Sequence, residues 1–459
     1  MKLQHEIIGE NKLAVMPIKK LILNISIPIM ISMLLQGLYN IIDSLFIARI
    51  PLSGEQAINA LTLAFPIQMF IVSVCVGTGV GLNAILAKTL GQKNHMKANN
   101  VACNGIIIGV ITYVFFLLFG VFAIKMYFNT QTNNPLISSM GIKYLTIISV
   151  FSFGQIGQLI FERMLQATGK SFYTMITQGT GAIINVILDP ILIFGYFKCP
   201  ALGVAGAAYA TVIGQICACG LAIFFNLKFN KEIAINFKAF KTNFKIIKEI
   251  YKISLPAIVM LSLTSIMTYG MNIILGIISE TAVSAYGLYF RIQSFIFMPV
   301  LGLSDGVAPI TAYNYGAQNK KRILSTIKFS LIFSTIIMII GFIVFQIFTS
   351  QIISIFNVSG ELEKISIIAM KIISVSFVFV GVNFIMQSVF QAIGKGGHSL
   401  SISLLRVISI LGVASYLIKL HESVKYIWWA IPAAELVTIA GTIYLYRINY
   451  IEKIDGIMN

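Results

Sequence analysis

Charge, and acidic charge above all, is scarce in this sequence. Only 11% of the 459 residues are charged, and Asp and Glu together number 16 against 33 Lys and Arg. A soluble domain carries roughly a quarter charged residues, so the composition excludes an ordinary water-soluble fold. The five Cys form no CxxC pair and the four His form no HExxH motif. We therefore expect no enzymatic activity and no cofactor.

Long apolar runs take the place of the missing charge. Hydrophobic residues make up 57% of the chain, in segments of the roughly 20 residues or more that a membrane-spanning helix requires. The alternating pattern of barrel strands is not seen. We predict an all-α polytopic membrane protein with twelve transmembrane helices, at about 21–48, 57–88, 98–125, 138–164, 171–197, 203–227, 249–278, 282–314, 323–349, 364–393, 398–419 and 425–447.

Basic residues are concentrated in the loops of one predicted side. The stretch Lys228–Lys252 alone holds seven lysines. By the positive-inside rule this side is cytoplasmic and so are both termini. Because the lysines are spread over many loops, we expect attraction to anionic lipid and no binding of nucleic acid.

An internal repeat divides the chain. Residues 60–94 match residues 285–319 without a gap at 13 of 35 positions, including Gln68 with Gln293 and Gly81 with Gly306. We predict two pseudo-symmetric six-helix bundles, with an N-terminal lobe at 1–227, a basic cytoplasmic linker at 228–248 and a C-terminal lobe at 249–459. Parallel repeats of this kind are typical of secondary transporters, although duplication can also build a larger bundle without transport.

Four acidic residues lie well inside predicted helices, namely Asp43, Asp189, Asp305 and Glu435. A charge at the centre of a membrane costs about 2.5–3.5 kcal/mol, so function is the first hypothesis for each. The alternative is a hydrogen bond between helices or an ion pair with Arg163, Arg291 or Arg406. For Asp305 and Glu435 both readings stay open, and we include them with Gln68 and Gln293 as candidates for a substrate cavity. Glu162 is expected to pair with Arg163.

Asp43 and Asp189 form the strongest candidate pair. Asn40 precedes Asp43 by three residues and Asn185 precedes Asp189 by four, so each amide shares a helical face with its carboxylate. Tyr39 lies one turn before Asp43, and Pro190 leaves the carbonyl of residue 186 without its helical donor. The carboxylate, amide, phenol and carbonyl oxygens of these residues suit the binding of Na⁺ or of a proton shared between the two acids.

The repeat sharpens this assignment. When the two halves are aligned, Ala414 occupies the position equivalent to Asp189, and Leu275 occupies the position equivalent to Asp43. A charge required for packing both halves should recur, whereas these acids occur in the first half alone.

The sequence resembles the multidrug and toxic compound extrusion (MATE) family. The resemblance rests on PIMISMLLQGLYNIID (28–43), NVILDPILIFG (185–195), GVAGAAYATVIGQ (203–215) and QAIGK (391–395), and it covers essentially the whole chain. It implies an H⁺- or Na⁺-driven antiporter that exports amphipathic, often cationic drugs by alternating access, as a monomer in a bacterial cytoplasmic (inner) membrane.

The same resemblance assigns roles to particular residues. It implies a coupling-ion cluster of Asp43, Asp189, Asn185 and Tyr39, to which Thr211 contributes. Independently of the resemblance, Pro28 and Pro190 are candidate conformational hinges. An alternative function within the same architecture is a lipid-linked oligosaccharide flippase. Its anionic substrate should require several arginines in the cavity, where the sequence offers only Arg163, Arg291 and Arg406 as candidates.

Overall fold

The computed structural model describes residues 11–51, 54–233, 242–356, 358–420 and 424–449. Within these ranges the regular structure is entirely helical. Among the described residues, eleven helices are long and apolar enough to cross a membrane. A pair bent by 43°, Pro135–Val150 with Phe153–Ala167, makes twelve when it is counted as one span. The prediction of an all-α polytopic membrane protein is confirmed.

The chain forms two compact units. Unit 1 takes in Ile31–Ser254 together with the described residues up to Val15. Its helices are α1 Lys12–Val15, α2 Ile18–Ala48, α3 Gly54–Gly91, α4 His95–Phe122, α5 Ile124–Gln131, α6 Pro135–Val150, α7 Phe153–Ala167, α8 Ser171–Phe194 and α9 Val204–Phe229. Of these, α2 begins in unit 2 and crosses into unit 1 after Met30. The helix α3 packs against α6 and α7, and α9 packs against α7 and α8.

Unit 2 takes in Met16–Met30 and the described residues from Leu255 onward. Its helices are α10 Phe244–Gly276, which begins in unit 1, α11 Glu280–Gly316, α12 Lys320–Ile347, α13 Thr349–Ser354, α14 Glu361–Ile373, α15 Phe377–Ala392, α16 Gly396–Leu420, α17 Val424–Ile427 and α18 Ala430–Asn449. The core of this unit includes Met271, Tyr286, Phe377 and Trp428.

The two units differ from the two halves of the sequence repeat in two segments. The start of α2 belongs to unit 2, where a Cβ at Gly306 would come within 2.9 Å of the Ser26 Cα. The start of α10 belongs to unit 1, where the Ser254 hydroxyl donates a hydrogen bond to the Thr78 carbonyl at 3.2 Å. Each half therefore begins with a segment that packs on the other half. The predicted linker at 228–248 lies partly outside the described residues, at 234–241.

The repeat is visible in the backbone. The turn between α3 and α4 places Lys93 at φ 57°, and the turn between α11 and α12 places Gln318, 225 residues later, at φ 55°. Both are non-glycine residues in the left-handed region, which few side chains adopt. The following residues, Asn94 and Asn319, each accept a hydrogen bond from a backbone N–H three positions on. The prediction of an internal duplication is confirmed.

Candidate functional site

Asp43 and Asp189 are brought together inside unit 1. Asp43 lies on α2 and is half-buried, whereas Asp189 lies on α8 and has no exposed surface. The two carboxyl groups lie close enough to interact electrostatically. One carboxyl group can donate a hydrogen bond to the other only when it carries a proton. A cation bound between the two groups would link them in the same way.

An amide and a hydroxyl complete this group on α8 and α9. The Asn185 Nδ2 donates to the Asp189 Oδ1 at 3.3 Å and to the Thr211 Oγ1 at 3.3 Å. Both Asn185 and Thr211 are buried. The predicted sharing of one helical face by Asn185 and Asp189 is confirmed. Thr211 lies beside Asn185 on the neighbouring helix.

Small residues allow α8 and α9 to approach closely enough for these bonds. A Cβ at Gly214 would lie 2.6 Å from the Gly181 carbonyl oxygen, and a Cβ at Gly206 would lie 2.5 Å from the Leu192 carbonyl carbon. Glycine at helix interfaces permits this kind of backbone contact in membranes. The run GVAGAAYATVIGQ therefore positions Thr211 by supplying Gly206 and Gly214 one turn or so on either side of it.

Two phenols border the carboxylates. Tyr39 lies within electrostatic range of Asp43 and Asp189 and beside the Gln36 side chain. Tyr144 on α6 lies near the same two acids and beside the Gln68 side chain. Tyr144 was not identified from the sequence, because α6 carries no nearby acid or amide that would have marked it. Through Tyr144, the structure connects Gln68 to the acid pair.

Three buried oxygens of this cluster have no hydrogen-bond partner among the described residues. They are Asp43 Oδ1, Asp189 Oδ2 and Asn185 Oδ1. An unsatisfied polar atom in a membrane interior is costly, so oxygens grouped in this way suit a bound cation or a transferred proton. In the described part of the chain, no group of three or more His, Cys, Asp or Glu side chains is placed so that it could hold a metal ion.

The remaining first-half candidates are Asn40, Pro190 and Pro28. Asn40 is exposed on α2, and its backbone carbonyl accepts a hydrogen bond from the Ser44 hydroxyl. Pro190 lies one position after Asp189, and α8 continues past it to Phe194. Pro28 lies inside α2, two residues before the chain passes from unit 2 into unit 1.

The second-half candidates occupy a different cluster in unit 2. Glu435 is fully buried, forms an ion pair with the Arg406 Nε, and accepts a hydrogen bond from the Asn383 Nδ2 at 2.9 Å. Gln293 is buried on α11, where its Oε1 accepts a hydrogen bond from the Tyr289 hydroxyl. Asp305, on the same helix, is partly buried.

Glu162 has partners that the sequence did not reveal. Its carboxylate is buried on α7 and accepts hydrogen bonds from Gln158 Nε2 at 2.9 Å, Thr177 Oγ1 at 2.6 Å and Gln178 Nε2 at 2.8 Å. Arg163 donates to the Gln166 Oε1 at 3.0 Å. Glu162 therefore joins α7 to the first half of α8, the helix that carries Asp189 further along.

The fold and the buried acids define a polytopic helical membrane protein built from duplicated halves. The MatE family profile matches residues 28–191 and 256–417, one block in each half, and the chain belongs to the MatE family.

Comparisons with individual proteins extend over nearly the full length. The multidrug export protein MepA of Staphylococcus aureus (strain MSSA476) is 27% identical over 437 residues, 94% of each chain. MepA of Staphylococcus haemolyticus (strain JCSC1435) is 28% identical over the same share of each chain. Among solved structures, the outward-facing conformation of a multidrug resistance MATE family transporter of the MOP superfamily is similar in fold. Its TM-score is 0.91 at 23% identity, over 98% of this chain and 99% of that one.

Proposed function

We propose that this chain is an antiporter that exports amphipathic, often cationic compounds from the bacterial cytoplasm in exchange for H⁺ or Na⁺. In this proposal it acts as a monomer in the cytoplasmic membrane, with both termini inside and by alternating access. Membership of the MatE family and the multidrug export function named for its MepA relatives support the transport of drugs.

The observation that carries the ion coupling is the cluster around Asp189. A fully buried carboxylate lies beside a second carboxylate and an amide, and three of their oxygens have no protein partner among the described residues. The equivalent positions of the other half are Ala414 and Leu275, so the cluster is not needed to pack the repeated scaffold. A charged residue that lies inside a membrane and has no packing role indicates a functional site.

The residues then have distinct tasks. Asp43 and Asp189 receive the cation, Asn185 supplies an amide oxygen, and Thr211 holds the Asn185 amide by accepting its N–H. Filling the site neutralises charge next to α2, α8 and α9, and a transporter requires that this event and drug binding oppose each other. Pro28 and Pro190 are the places where α2 and α8 lack a backbone donor, which eases bending there.

The arginines give little support to the flippase alternative. Arg406 is paired with Glu435 and Arg163 donates to Gln166, so part of the donor capacity that a diphosphate would require is already engaged.

The proposal is tested by ethidium transport in inside-out membrane vesicles that contain this protein. A pH gradient and a sodium gradient, each with the higher ion concentration in the lumen, are imposed separately. We expect one of them to drive ethidium into the lumen and an ionophore for that ion to abolish the uptake. If neither gradient drives uptake above that of vesicles lacking the protein, the antiport mechanism is wrong.

A further inference from the structure

The end of α9 holds a lysine over two aromatic rings. The Lys228 Nζ lies 5.2 Å from the centre of the Phe224 ring and 5.5 Å from that of the Phe229 ring. Lys228 is exposed, and no acidic side chain pairs with it among the described residues. Ring faces attract an ammonium but carry no net charge that could neutralise it. The rings therefore position the amine and leave its charge and its N–H donors for an anion.

These rings are fixed in turn by the start of α8. The Tyr173 ring stacks on Phe229, with centroids 4.9 Å apart and planes at 11°, and lies 4.8 Å from the Phe225 ring. One turn before Tyr173, the Lys170 Nζ lies 3.5 Å from the Asn230 Oδ1, just past the end of α9. The start of α8 and the end of α9 thus form one surface of aromatic rings and lysines.

Positive charge exceeds negative charge at this surface. The Glu232 carboxylate pairs with the Lys170 Nζ at 3.4 Å and accepts a hydrogen bond from the Asn11 amide. Lys12, on α1, lies within electrostatic range of both Lys170 and Glu232. Lys231 is exposed and forms no ion pair among the described residues. Since Glu232 is already engaged, a net positive charge remains that complements an anionic group.

An apolar surface adjoins these lysines on α9. Leu227 is 69% exposed and Phe224 is 48% exposed, on a helix that is long and apolar enough to cross a membrane. Exposed apolar side chains on such a helix contact acyl chains, and a lysine near the end of the helix extends to the level of the lipid headgroups. The predicted cytoplasmic side of Lys228 is the side on which anionic lipids attract basic residues.

We propose that the ends of α8 and α9 form a binding site for an anionic phospholipid. The phosphate of the headgroup contacts the ammonium groups of Lys228 and Lys231, and an acyl chain lies along Phe224 and Leu227. The aromatic rings beneath Lys228 hold its amine at the headgroup level, so the site favours lipids that carry a net negative charge. This site goes beyond the proposed antiport and does not depend on it.

The test places a fluorescent reporter at the site with the variant Leu227→Trp of the full-length protein, reconstituted into lipid vesicles. The fluorescence of the native tryptophans is subtracted with vesicles that contain the unsubstituted protein. Quenching by phosphatidylglycerol with brominated acyl chains is compared with quenching by brominated phosphatidylcholine, which gives the ratio of the two binding constants at this position. We expect phosphatidylglycerol to bind about fivefold or more tightly, and Lys228→Gln in the reporter protein to lower the ratio about fivefold.

Two further variants of the reporter protein are controls. Lys228→Arg keeps the charge and should keep the ratio, and Lys248→Gln, which removes an exposed lysine from α10 in the same unit, should leave it unchanged. Equal quenching by the two lipids, or an unchanged ratio in Lys228→Gln, overturns the site. A ratio that falls when inorganic phosphate is added at constant ionic strength would indicate a soluble anion in place of a lipid and also overturns it. No ion gradient is imposed, so the result is independent of the antiport mechanism.

Discussion

The Asn185 side-chain amide donates a hydrogen bond to the Thr211 hydroxyl at 3.3 Å, and the same nitrogen lies 3.3 Å from the Asp189 Oδ1. One amide therefore connects α9 to the buried carboxylate of α8. Its own oxygen has no hydrogen-bond partner among the described residues, and in the proposed function this oxygen is a ligand of the cation.

Replacing Thr211 by Val keeps the shape of the side chain and removes this acceptor. A hydrogen bond contributes about 0.5–1.5 kcal/mol, so we expect the half-saturating concentration of the coupling ion to rise about 2- to 12-fold. The measurement is the ion dependence of ethidium transport in vesicles. Thr211→Ser retains the hydroxyl and should restore the native value, whereas equal effects of Val and Ser would contradict this role.

The close helix contacts at Gly81 and Gly306 should not tolerate even a methyl group. A Cβ at Gly81 would lie 2.5 Å from the Ile250 carbonyl oxygen. At Gly306, the equivalent position of the repeat, it would lie 2.9 Å from the Ser26 Cα. Because backbone must move in both cases, we expect Gly81→Ala and Gly306→Ala each to lower the free energy of unfolding by about 1–3 kcal/mol, measured by denaturation in mixed micelles.

The matched controls for these substitutions are Gly220→Ala on α9 and Gly412→Ala on α16, where a Cβ meets no atom within 4 Å among the described residues. Alanine is the better helix former, so both controls should be neutral or slightly stabilising. A loss of stability as large as that at Gly81 would show that the cost comes from helix geometry and not from close packing.

Glu162 should matter for stability in proportion to the hydrogen bonds that it accepts. Glu162→Ala leaves Gln158, Thr177 and Gln178 without their acceptor. Hydrogen bonds in membrane proteins contribute about 0.6 kcal/mol each on average, so we expect a loss of about 2 kcal/mol in the free energy of unfolding. Glu249→Ala, which removes an exposed carboxylate 3.0 Å from Lys97, should cost well under half of that. Equal losses would rule out a special role for Glu162.

Much of the fold could be predicted from the sequence. The length of the apolar segments determines helices that can cross a membrane, and the identities between 60–94 and 285–319 reveal the duplication that Lys93 and Gln318 later show in their backbone angles. The contact between Asn185 and Asp189 follows from helical periodicity alone.

Contacts between distant segments could not be predicted in this way. The packing of Ser26 near Gly306 puts Met16–Met30 into unit 2, and hydropathy contains no information on that pairing. Tyr144 and the Thr177–Glu162 bond were missed for the same reason, because their partners lie on other helices. The exposure of Asn40 was missed because a periodic pattern assigns a shared face but not the depth to which a residue is buried.

The central claim is that Asp189 carries the coupling ion, and the most direct test is the variant Asp189→Asn, which keeps the size of the side chain and removes its charge. Ethidium transport driven by the effective ion gradient is compared with that of the native protein and of Glu249→Gln, at equal amounts of folded protein in the vesicles. We predict that Asp189→Asn loses gradient-driven transport while still binding ethidium and that Glu249→Gln transports normally. Undiminished gradient-driven transport by Asp189→Asn would contradict the account.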